Sequence, residues 1–140
     1  MANNEKALRL LGLAWHARRL EAGEEPVVIL CRSGKARLVL LASDAGEHTL
    51  RRAENLCRGK NTPLLVAPVT KDELGSALGC NACALCALSD TGFAVSLLQA
   101  MEDCPDAAAL LPQMQQLDGR MRRRRDEARA HRNNVKHGKK

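Results

Sequence analysis

Three short apolar runs constrain the fold of this chain more than any other feature of its sequence. They span residues 37–42, 64–67 and 82–88, and residues that favour turns separate them from their neighbours. Apolar runs of this length are typical of strands buried on both faces of a sheet. The stretches between them carry apolar residues at helical spacing. Strands that alternate with helices predict a largely parallel sheet covered by helices on both faces.

Helix signals flank these runs. Apolar residues between Leu8 and Trp15 recur at helical spacing and predict a first helix, which ends at Arg18-Arg19. Gly23 then interrupts the chain, and Pro26 suits the first turn of a second helix. Helix caps are predicted at Asn3 or Asn4, at Asp44 with Glu47, at Thr70 with Glu73, and at Ser89 or Asp90.

The positive charge of the chain is concentrated near its C-terminus. Residues 119–140 contain seven Arg and three Lys against two acidic residues, a net charge of +8. Residues 1–118 contain 12 basic and 14 acidic residues, a net charge of −2. Guanidinium groups pair bidentately with phosphate, so the run Arg120–Arg125 favours contact with nucleic acid over a merely solubilising role. Such contact supplies affinity without sequence specificity.

The six cysteines could form disulfides, a metal cluster or buried free thiols. The sequence lacks a signal-peptide pattern and a membrane-spanning apolar stretch, so we expect a cytoplasmic protein with free thiols. Cys80, Cys83 and Cys86 have a spacing that suggests an iron–sulfur site. If residues 82–88 form a strand, however, Cys83 and Cys86 point to opposite faces and cannot meet at one cluster. We therefore predict no metal site.

Residues suited to base stacking or to catalysis are few. Trp15 and Phe93 are too few aromatic rings for a base-stacking platform. The sequence contains no G-x-S-x-G or H-E-x-x-H pattern, and Ser33-Gly34-Lys35 lacks the upstream glycine of a phosphate loop. We therefore predict no catalytic residue, no cofactor and no small-molecule substrate. Nothing in the sequence requires more than a monomer, and no membrane partner is expected.

Several segments, in one collinear order, resemble a known family. They are Leu11–Ala14, Gly23–Glu25, Ser33–Ala45, Thr70–Gly79 and Asp90–Ala94. Residues 5 to about 103 resemble the bacterial YlxQ-like branch of the ribosomal L7Ae/L30e superfamily, whose better-known members bind RNA kink-turns. The resemblance implies a three-layer α/β/α sandwich with a mixed sheet of about four strands. The expected domain spans residues 1–104, and residues 105–140 form a basic C-terminal extension that is partly helical or disordered.

The resemblance also implies where RNA meets the domain. The turn that opens the second helix enters the groove of a kinked duplex, and the loop after Gly79 packs on a flipped-out base. Lys71 matches a basic residue of the family that reaches the RNA backbone, and Arg19 matches a basic position just before the turn. The implied RNA-binding residues are Arg19, Gly23, Glu24, Glu25, Lys71, Gly79 and Asn81, joined by Arg122, Arg123, Arg124 and Arg125 of the basic tail.

The turn before the second helix departs from the pattern of strong kink-turn binders. These proteins use Gly-x-Asn-Glu-x-x-Lys, whereas this chain keeps Gly23 but has Glu25, Pro26 and Ile29 at the other three positions. The closer bacterial relatives also carry Gly-Glu-Glu at this turn, which indicates a pattern of the subfamily.

Two functional hypotheses follow. The first is a non-catalytic protein that binds structured, kink-turn-like RNA and has ribosomal RNA as a possible partner. The second is a protein-interaction module of the same fold, in which the arginine-rich tail makes only non-specific contacts with nucleic acid. An enzyme-related role as the substrate-binding part of an RNA methyltransferase is disfavoured, because no second domain that could hold a methyl donor is expected.

Overall fold

The structure, a computed structural model, describes the backbone of residues 2–137 and the side chains of residues 4–134. No helix within these residues is both long enough and apolar enough to cross a lipid bilayer. The elements are α1 (Ala2–His16), β1 (Leu20–Ala22), α2 (Glu24–Arg32), β2 (Leu38–Ala42), α3 (Glu47–Lys60), β3 (Leu64–Ala67), α4 (Lys71–Ala77), β4 (Leu85–Leu88), α5 (Thr91–Ala100) and α6 (Pro105–His137).

The four strands form one mixed sheet in the order β1-β4-β2-β3. β2 and β3 are parallel, whereas β4 runs antiparallel to both of its neighbours. The prediction of a largely parallel sheet is therefore wrong. The reason lies in α4, which is only seven residues long, so that the loop after it returns the chain to the end of the sheet where β3 finished. The mixed four-stranded sheet implied by the family resemblance is confirmed.

Two strand boundaries differ from those that the apolar runs predict. The apolar runs do not predict β1, because this strand has three residues and only Leu20 is buried. It forms by pairing with β4, where Leu20 lies opposite Leu88. β4 begins at Leu85 rather than at Ala82, because residues 82–84 belong to the loop that packs on α4. Strand formation in both cases depends on neighbours that are distant in sequence.

Helices cover both faces of the sheet, which confirms the three-layer sandwich. One core lies between the sheet and α1, α4, α5 and the first half of α6. The other lies between the sheet and α2 and α3. In β2, Leu38 and Leu40 face the first core, whereas Val39 and Leu41 face the second. Burial on both faces explains why this strand is a continuous apolar run.

Side-chain caps confirm two of the predicted helix starts. Thr70 Oγ1 accepts a hydrogen bond from the Glu73 amide at 3.2 Å, and Glu73 Oε1 accepts one from the Thr70 amide at 2.9 Å. This capping box opens α4. At α5, Asp90 rather than Ser89 is the cap, since Asp90 Oδ2 accepts from the Phe93 amide at 2.9 Å.

The other two predicted caps are wrong. α3 begins at Glu47 behind Gly46, and no side chain caps it. Asp44 Oδ1 instead accepts a hydrogen bond from the Lys71 amide at 2.8 Å, because the loop after β2 lies beside the start of α4. Asn4 lies inside α1, where its Nδ2 donates to the carbonyl of Pro68 at 2.9 Å.

The segment after residue 104 forms one helix, α6, whose two halves have different surroundings. Ala107 and Met114 in the first half are buried in the core. Thr91 Oγ1 of α5 donates to Asp118 Oδ1 at 2.8 Å, and Arg122 Nε pairs with Asp118 Oδ2 at 3.0 Å. From Arg122 to residue 134 every residue is exposed. The division of the chain at residue 104 stays a prediction.

Candidate nucleic-acid interface

Six of the predicted RNA-binding residues lie at one end of the sheet, which we call the Gly23 end. β1, β2 and β3 run in the same direction and finish there, and β4 begins there, because it is antiparallel to its neighbours. The loops and helix starts that follow these strands therefore meet at this end. The residues brought together are Gly23, Glu24, Glu25, Lys71, Gly79 and Asn81.

Gly23 forms the sharp turn between β1 and α2. Its φ of 98° lies in the region that favours glycine, and its amide donates to the carbonyl of Leu85 at 2.9 Å. No side chain caps α2. The amides of Glu24 and Glu25 therefore point outward without a helical partner, whereas Pro26 has no N–H at all.

A second open helix start lies beside the first. α3 begins behind Gly46, again without a side-chain cap, so the amides of its first turn are free for an external acceptor. The start of α4 at the same end is closed by Thr70 and Glu73. The Gly23 end therefore presents two helix starts with unoccupied donors. Glu24, Glu25 and Glu47 in their first turns offset the partial positive charge of the helix ends.

Glu24 is held by α3. Its Oε2 accepts a hydrogen bond from Arg52 Nη1 at 2.7 Å, and Thr49 Oγ1 lies 3.5 Å from its Oε1. This pair offsets one of the two carboxylates at the mouth of α2. No sequence pattern pointed to Arg52, because the two residues are 28 positions apart and the pairing depends on how α2 packs against α3.

Lys71 links three segments of the Gly23 end through its backbone. Its amide donates to Asp44 after β2, and its carbonyl accepts from the Cys83 amide at 3.0 Å. Its side chain is half-buried and has no ion-pair partner among residues 4–134. The ammonium group is therefore available to a phosphate at a position that the backbone fixes on both sides.

The loop of residues 79–84 packs tightly on α4 at Gly75. A Cβ added to Gly75 would lie 2.6 Å from Ala82 Cα and 2.9 Å from the Asn81 carbonyl carbon, so the loop requires glycine at this position. The Cys80 amide also donates to the Gly75 carbonyl at 2.8 Å. These contacts fix the backbone of the loop while Gly79 and Asn81 remain exposed.

The remaining predicted residues lie at the opposite end of the sheet. Arg19 precedes β1, and its carbonyl accepts from the Ser89 amide after β4 at 2.9 Å. The arginines of α6, Arg122–Arg125, follow the contact between Asp118 and Thr91, which is also beside the end of β4. β2 has five residues, so the two ends are separated by about 17 Å.

The cysteine spacing has a structural explanation other than a cluster. Cys83 and Cys86 lie in the same core, which corrects the inference that they face opposite sides of a strand. The inference fails because Cys83 precedes β4, where strand alternation does not apply. Burial raises the pKa of both thiols, and Cys80 is exposed. Within residues 2–137 no three His, Cys, Asp or Glu side chains are arranged to hold a metal ion.

A groove between α2 and α3 has a volume of about 820 Å³. Val28, Ile29 and Leu56 line it, and Ile29 is 62% exposed. Ile29 occupies the position where strong kink-turn binders have Lys, so an apolar surface replaces a cation beside the Gly23 end.

Comparison with protein families gives one match over most of the chain. Residues 5–97 match the ribosomal protein L7Ae/L30e/S12e/Gadd45 family. The chain is 33% identical over 93 residues to the RNA-binding protein YlxQ of Bacillus subtilis (strain 168), which covers 66% of this chain and 92% of that protein. It is 40% identical over 53 residues to the RNA-binding protein YlxQ of Enterococcus faecium, with 38% and 52% covered.

Two solved structures resemble the fold. A protein of unknown function from Bacillus halodurans C has a TM-score of 0.64 and 37% identity, with 69% of this chain and 97% of that chain covered. The Giardia lamblia 15.5kD RNA binding protein has a TM-score of 0.59 and 16% identity, with 76% and 91% covered, and shares the fold alone. The resemblance inferred from the sequence is thus confirmed: this chain belongs to the ribosomal protein L7Ae/L30e/S12e/Gadd45 family and is a YlxQ-like member of it.

Proposed function

We propose that this protein is a non-catalytic RNA-binding protein that recognises bent, kink-turn-like RNA at its Gly23 end. Its curated relatives in Bacillus subtilis and Enterococcus faecium are named as RNA-binding proteins. The observation that carries the proposal is the pair of uncapped helix starts, α2 and α3, beside each other at this end. RNA is rich in hydrogen-bond acceptors, and free helix N-termini donate to acceptors.

The charges at the Gly23 end support recognition of folded RNA rather than of a uniform phosphate surface. Arg52 offsets the charge of Glu24, and Lys71 supplies one unpaired cation. Glu25 is exposed and can accept hydrogen bonds from base amino groups, as acidic side chains do in nucleic-acid complexes. One cation, the free helix amides and the Glu25 carboxylate can recognise a particular local RNA structure by hydrogen bonding. A dense basic patch would instead bind any duplex through its phosphates.

The exposed half of α6 supplies affinity. Its arginines attract phosphate at long range and release counterions on binding. They lie at the far end of the sheet from Gly23, so they contact phosphates several base pairs away from the bent segment. A folded RNA in which helical segments flank the bend, such as ribosomal RNA, fits both surfaces.

The chemistry of the described residues supports a binding role. The titratable groups whose pKa is shifted are four buried thiols, and burial is the main cause in each case. A raised thiol pKa favours the protonated form, which is a poor nucleophile. We extend the proposal to a cytoplasmic monomer, because the thiols are free and the chain's own helices cover both faces of its sheet.

The direct test compares a kink-turn RNA with an unkinked duplex of the same length, over a range of salt concentrations. We expect the full chain to bind the kinked RNA more tightly. Lys71→Gln should weaken binding of the kinked RNA by roughly tenfold, as expected when one charged hydrogen bond is removed. Lys60→Gln, which removes the same charge at the far end of α3, is the matched control.

The contribution of α6 is tested in the same assay. Replacing Arg122, Arg123, Arg124 and Arg125 by Gln should weaken both RNAs equally. It should also lower the salt dependence by about one unit of slope for each phosphate that the arginines no longer neutralise. Equal affinity of the full chain for kinked and unkinked RNA would contradict the proposal.

The groove between α2 and α3 favours one alternative, a protein-interaction module. Its exposed Ile29 suits an apolar partner better than it suits RNA. In that case Ile29→Lys would abolish the protein contact and leave the preference for kinked over unkinked RNA unchanged. If instead RNA occupies the groove, the added cation would strengthen binding of the kinked RNA alone and so raise that preference.

A further inference from the structure

The end of the sheet opposite Gly23 carries arginines that no acidic side chain neutralises. We call it the Arg19 end and define it by Arg18, Arg19 and Arg37. The Arg37 amide donates to the Leu88 carbonyl at 2.7 Å, and the Arg19 carbonyl accepts from Ser89 at 2.9 Å. β1 and β2 flank β4, so Arg19 and Arg37 lie roughly 10 Å apart. None of the three arginines forms an ion pair with any residue from 4 to 134.

Carboxylates near these arginines are outnumbered. Asp90 accepts from the Phe93 amide and keeps its charge, whereas Asp118 pairs with Arg122. Asp126 shares a surface pocket with Asp90, Asp118 and three arginines of α6, which are Arg122, Arg125 and Arg129. Glu21 in the middle of β1 is exposed. Six arginines therefore face four carboxylates, and the Arg19 end together with the adjoining part of α6 has an excess of positive charge.

An exposed aromatic residue lies at the same end of the sheet. Trp15 is 39% exposed in the last turn of α1, its carbonyl accepts from the Arg18 amide at 3.1 Å, and the chain runs from there through Arg18 and Arg19 into β1. Surface tryptophan beside unpaired arginine is the combination that holds unpaired nucleotides, because the ring stacks on a base while guanidinium groups pair with phosphates. It is the single tryptophan of the chain.

We propose that the Arg19 end is a second RNA-binding surface that takes an unpaired RNA segment. Trp15 stacks on one base, and Arg18, Arg19 and Arg37 bind the phosphates beside it. This surface lies at the other end of the sheet, about 13–17 Å from the Gly23 end, and the segment that it holds is bound in addition to the bent RNA. The inference rests on the proposed RNA binding and adds that the domain joins two RNA segments.

Trp15 supplies the readout, because the chain has no tyrosine and its fluorescence on excitation above about 295 nm comes from this residue alone. A single-stranded octaadenylate added to the full chain should quench the emission, with an affinity that falls as salt is added. Trp15→Leu should weaken binding of the labelled oligonucleotide about tenfold, which is the effect expected when one stacked base is released. Trp15→Phe keeps a ring and should retain most of the affinity.

Charge variants separate the two ends. Arg19→Gln/Arg37→Gln should weaken the binding of octaadenylate at least tenfold and leave the preference for kinked over unkinked RNA intact. Arg51 is exposed and lies four residues after the start of α3, near the Gly23 end. Arg51→Gln/Lys71→Gln therefore removes the same total charge at that end and should do the reverse. Arg18 is left unchanged because its φ of 60° is disfavoured for non-glycine residues, so a substitution there could alter backbone strain as well as charge.

Occupancy tests distinguish this inference from the proposed function. Octaadenylate should still quench Trp15 when a kink-turn RNA, followed through its own label, saturates the Gly23 end. If octaadenylate fails to quench while the kinked RNA binds normally, the second surface is wrong and the proposed function stands. If the kinked RNA displaces octaadenylate, the chain has one shared surface and the inference is overturned. Equal quenching by polyglutamate would overturn base stacking.

Discussion

Gly75 has a structural role that its neighbours in α4 do not share. The loop that carries Asn81 approaches its backbone so closely that a side chain has no space, since an added Cβ would meet backbone atoms at 2.6 and 2.7 Å. Backbone atoms cannot move aside as the end of a flexible side chain can. The position of the loop that we propose to contact RNA therefore depends on the absence of a side chain at Gly75.

Gly75→Ala should lower the free energy of unfolding by about 1–3 kcal/mol, the usual cost of overpacking. It should also weaken the binding of kinked RNA, because it displaces residues 79–84. Urea unfolding and RNA titration measure the two effects. Gly59→Ala is the matched control: Gly59 also lies in a helix, but nothing meets its Cβ within 4 Å. That variant should be neutral or slightly stabilising, and equal destabilisation of both variants would contradict a special role for Gly75.

Single residues also show where sequence reasoning reaches its limit. Gly23 could be predicted because a glycine between a helix and a Pro-containing helix start has few other uses. The pairing of Glu24 with Arg52 could not, because it joins residues on two helices whose contact depends on packing. The shared core of Cys83 and Cys86 was missed because β4 begins only after Cys83, which changes the direction in which that side chain points.

The helices of this protein differ in whether a side chain caps their N-terminus. α4 and α5 are closed by their own side chains, whereas α2 and α3 are open. A sequence reveals a closed start when the cap and its partner are three residues apart, as at Thr70 and Glu73. It does not reveal that Asp44 accepts from the Lys71 amide instead of capping α3, since that contact joins two loops that are distant in sequence.

Thr70→Ala should lower the free energy of unfolding by about 1 kcal/mol, because it leaves the Glu73 amide without its acceptor. It should also weaken kinked RNA, since the start of α4 positions Lys71. Thr62→Ala is a suitable control, as the Thr62 side chain caps no helix. Chemical denaturation monitored by circular dichroism gives the stability of each variant, and RNA titration gives its affinity. Equal stability of Thr70→Ala and the unmodified chain would show that the capping box of α4 contributes nothing to the free energy of unfolding.

The short elements explain the errors at this scale. The apolar runs 37–42 and 64–67 contain β2 and β3 as predicted. β2 is buried on both faces, whereas β3 lies at the edge of the sheet and exposes Val66. β1 has no such pattern and exists only through β4. The direction of β4 follows from the shortness of α4. The capping signals predicted where α4 begins, but they did not predict the direction of the strand that follows it.

The whole molecule has two ends of different chemistry. One end offers open helix starts and a single lysine, and the other offers arginines, one tryptophan and the start of the basic half of α6. Sequence reasoning selected residues at both ends and grouped Arg19 with the turn at Gly23. Arg19 and Gly23 are four residues apart in the chain, yet β1 carries them to opposite ends of the sheet.

The buried thiols predict how stability depends on pH. Burial, with a smaller effect of neighbouring Cys31, raises the pKa of Cys57 from 9.0 to about 12. A group whose folded pKa is raised stabilises the fold below its unfolded pKa and loses that effect as pH rises toward the folded value. Stability should therefore fall between about pH 9 and pH 12.

Unfolding in urea at about pH 7, 9 and 10.5 measures this dependence, and the absence of tyrosine removes one competing titration. Cys57→Ala should reduce the pH slope by up to one proton, whereas Cys80→Ala, at an exposed thiol, should leave it unchanged. An identical slope for both variants and the unmodified chain would mean that Cys57 is accessible to solvent.

The central claim is that bent RNA contacts the open starts of α2 and α3. Amide hydrogen exchange of the full chain, with and without a saturating kink-turn RNA, tests it directly. We predict slower exchange at residues 24–25, 47–49 and 81–82, because RNA acceptors would occupy amides for which the protein supplies no acceptor. Protection confined to residues 120–137, with these three segments unchanged, would contradict the claim.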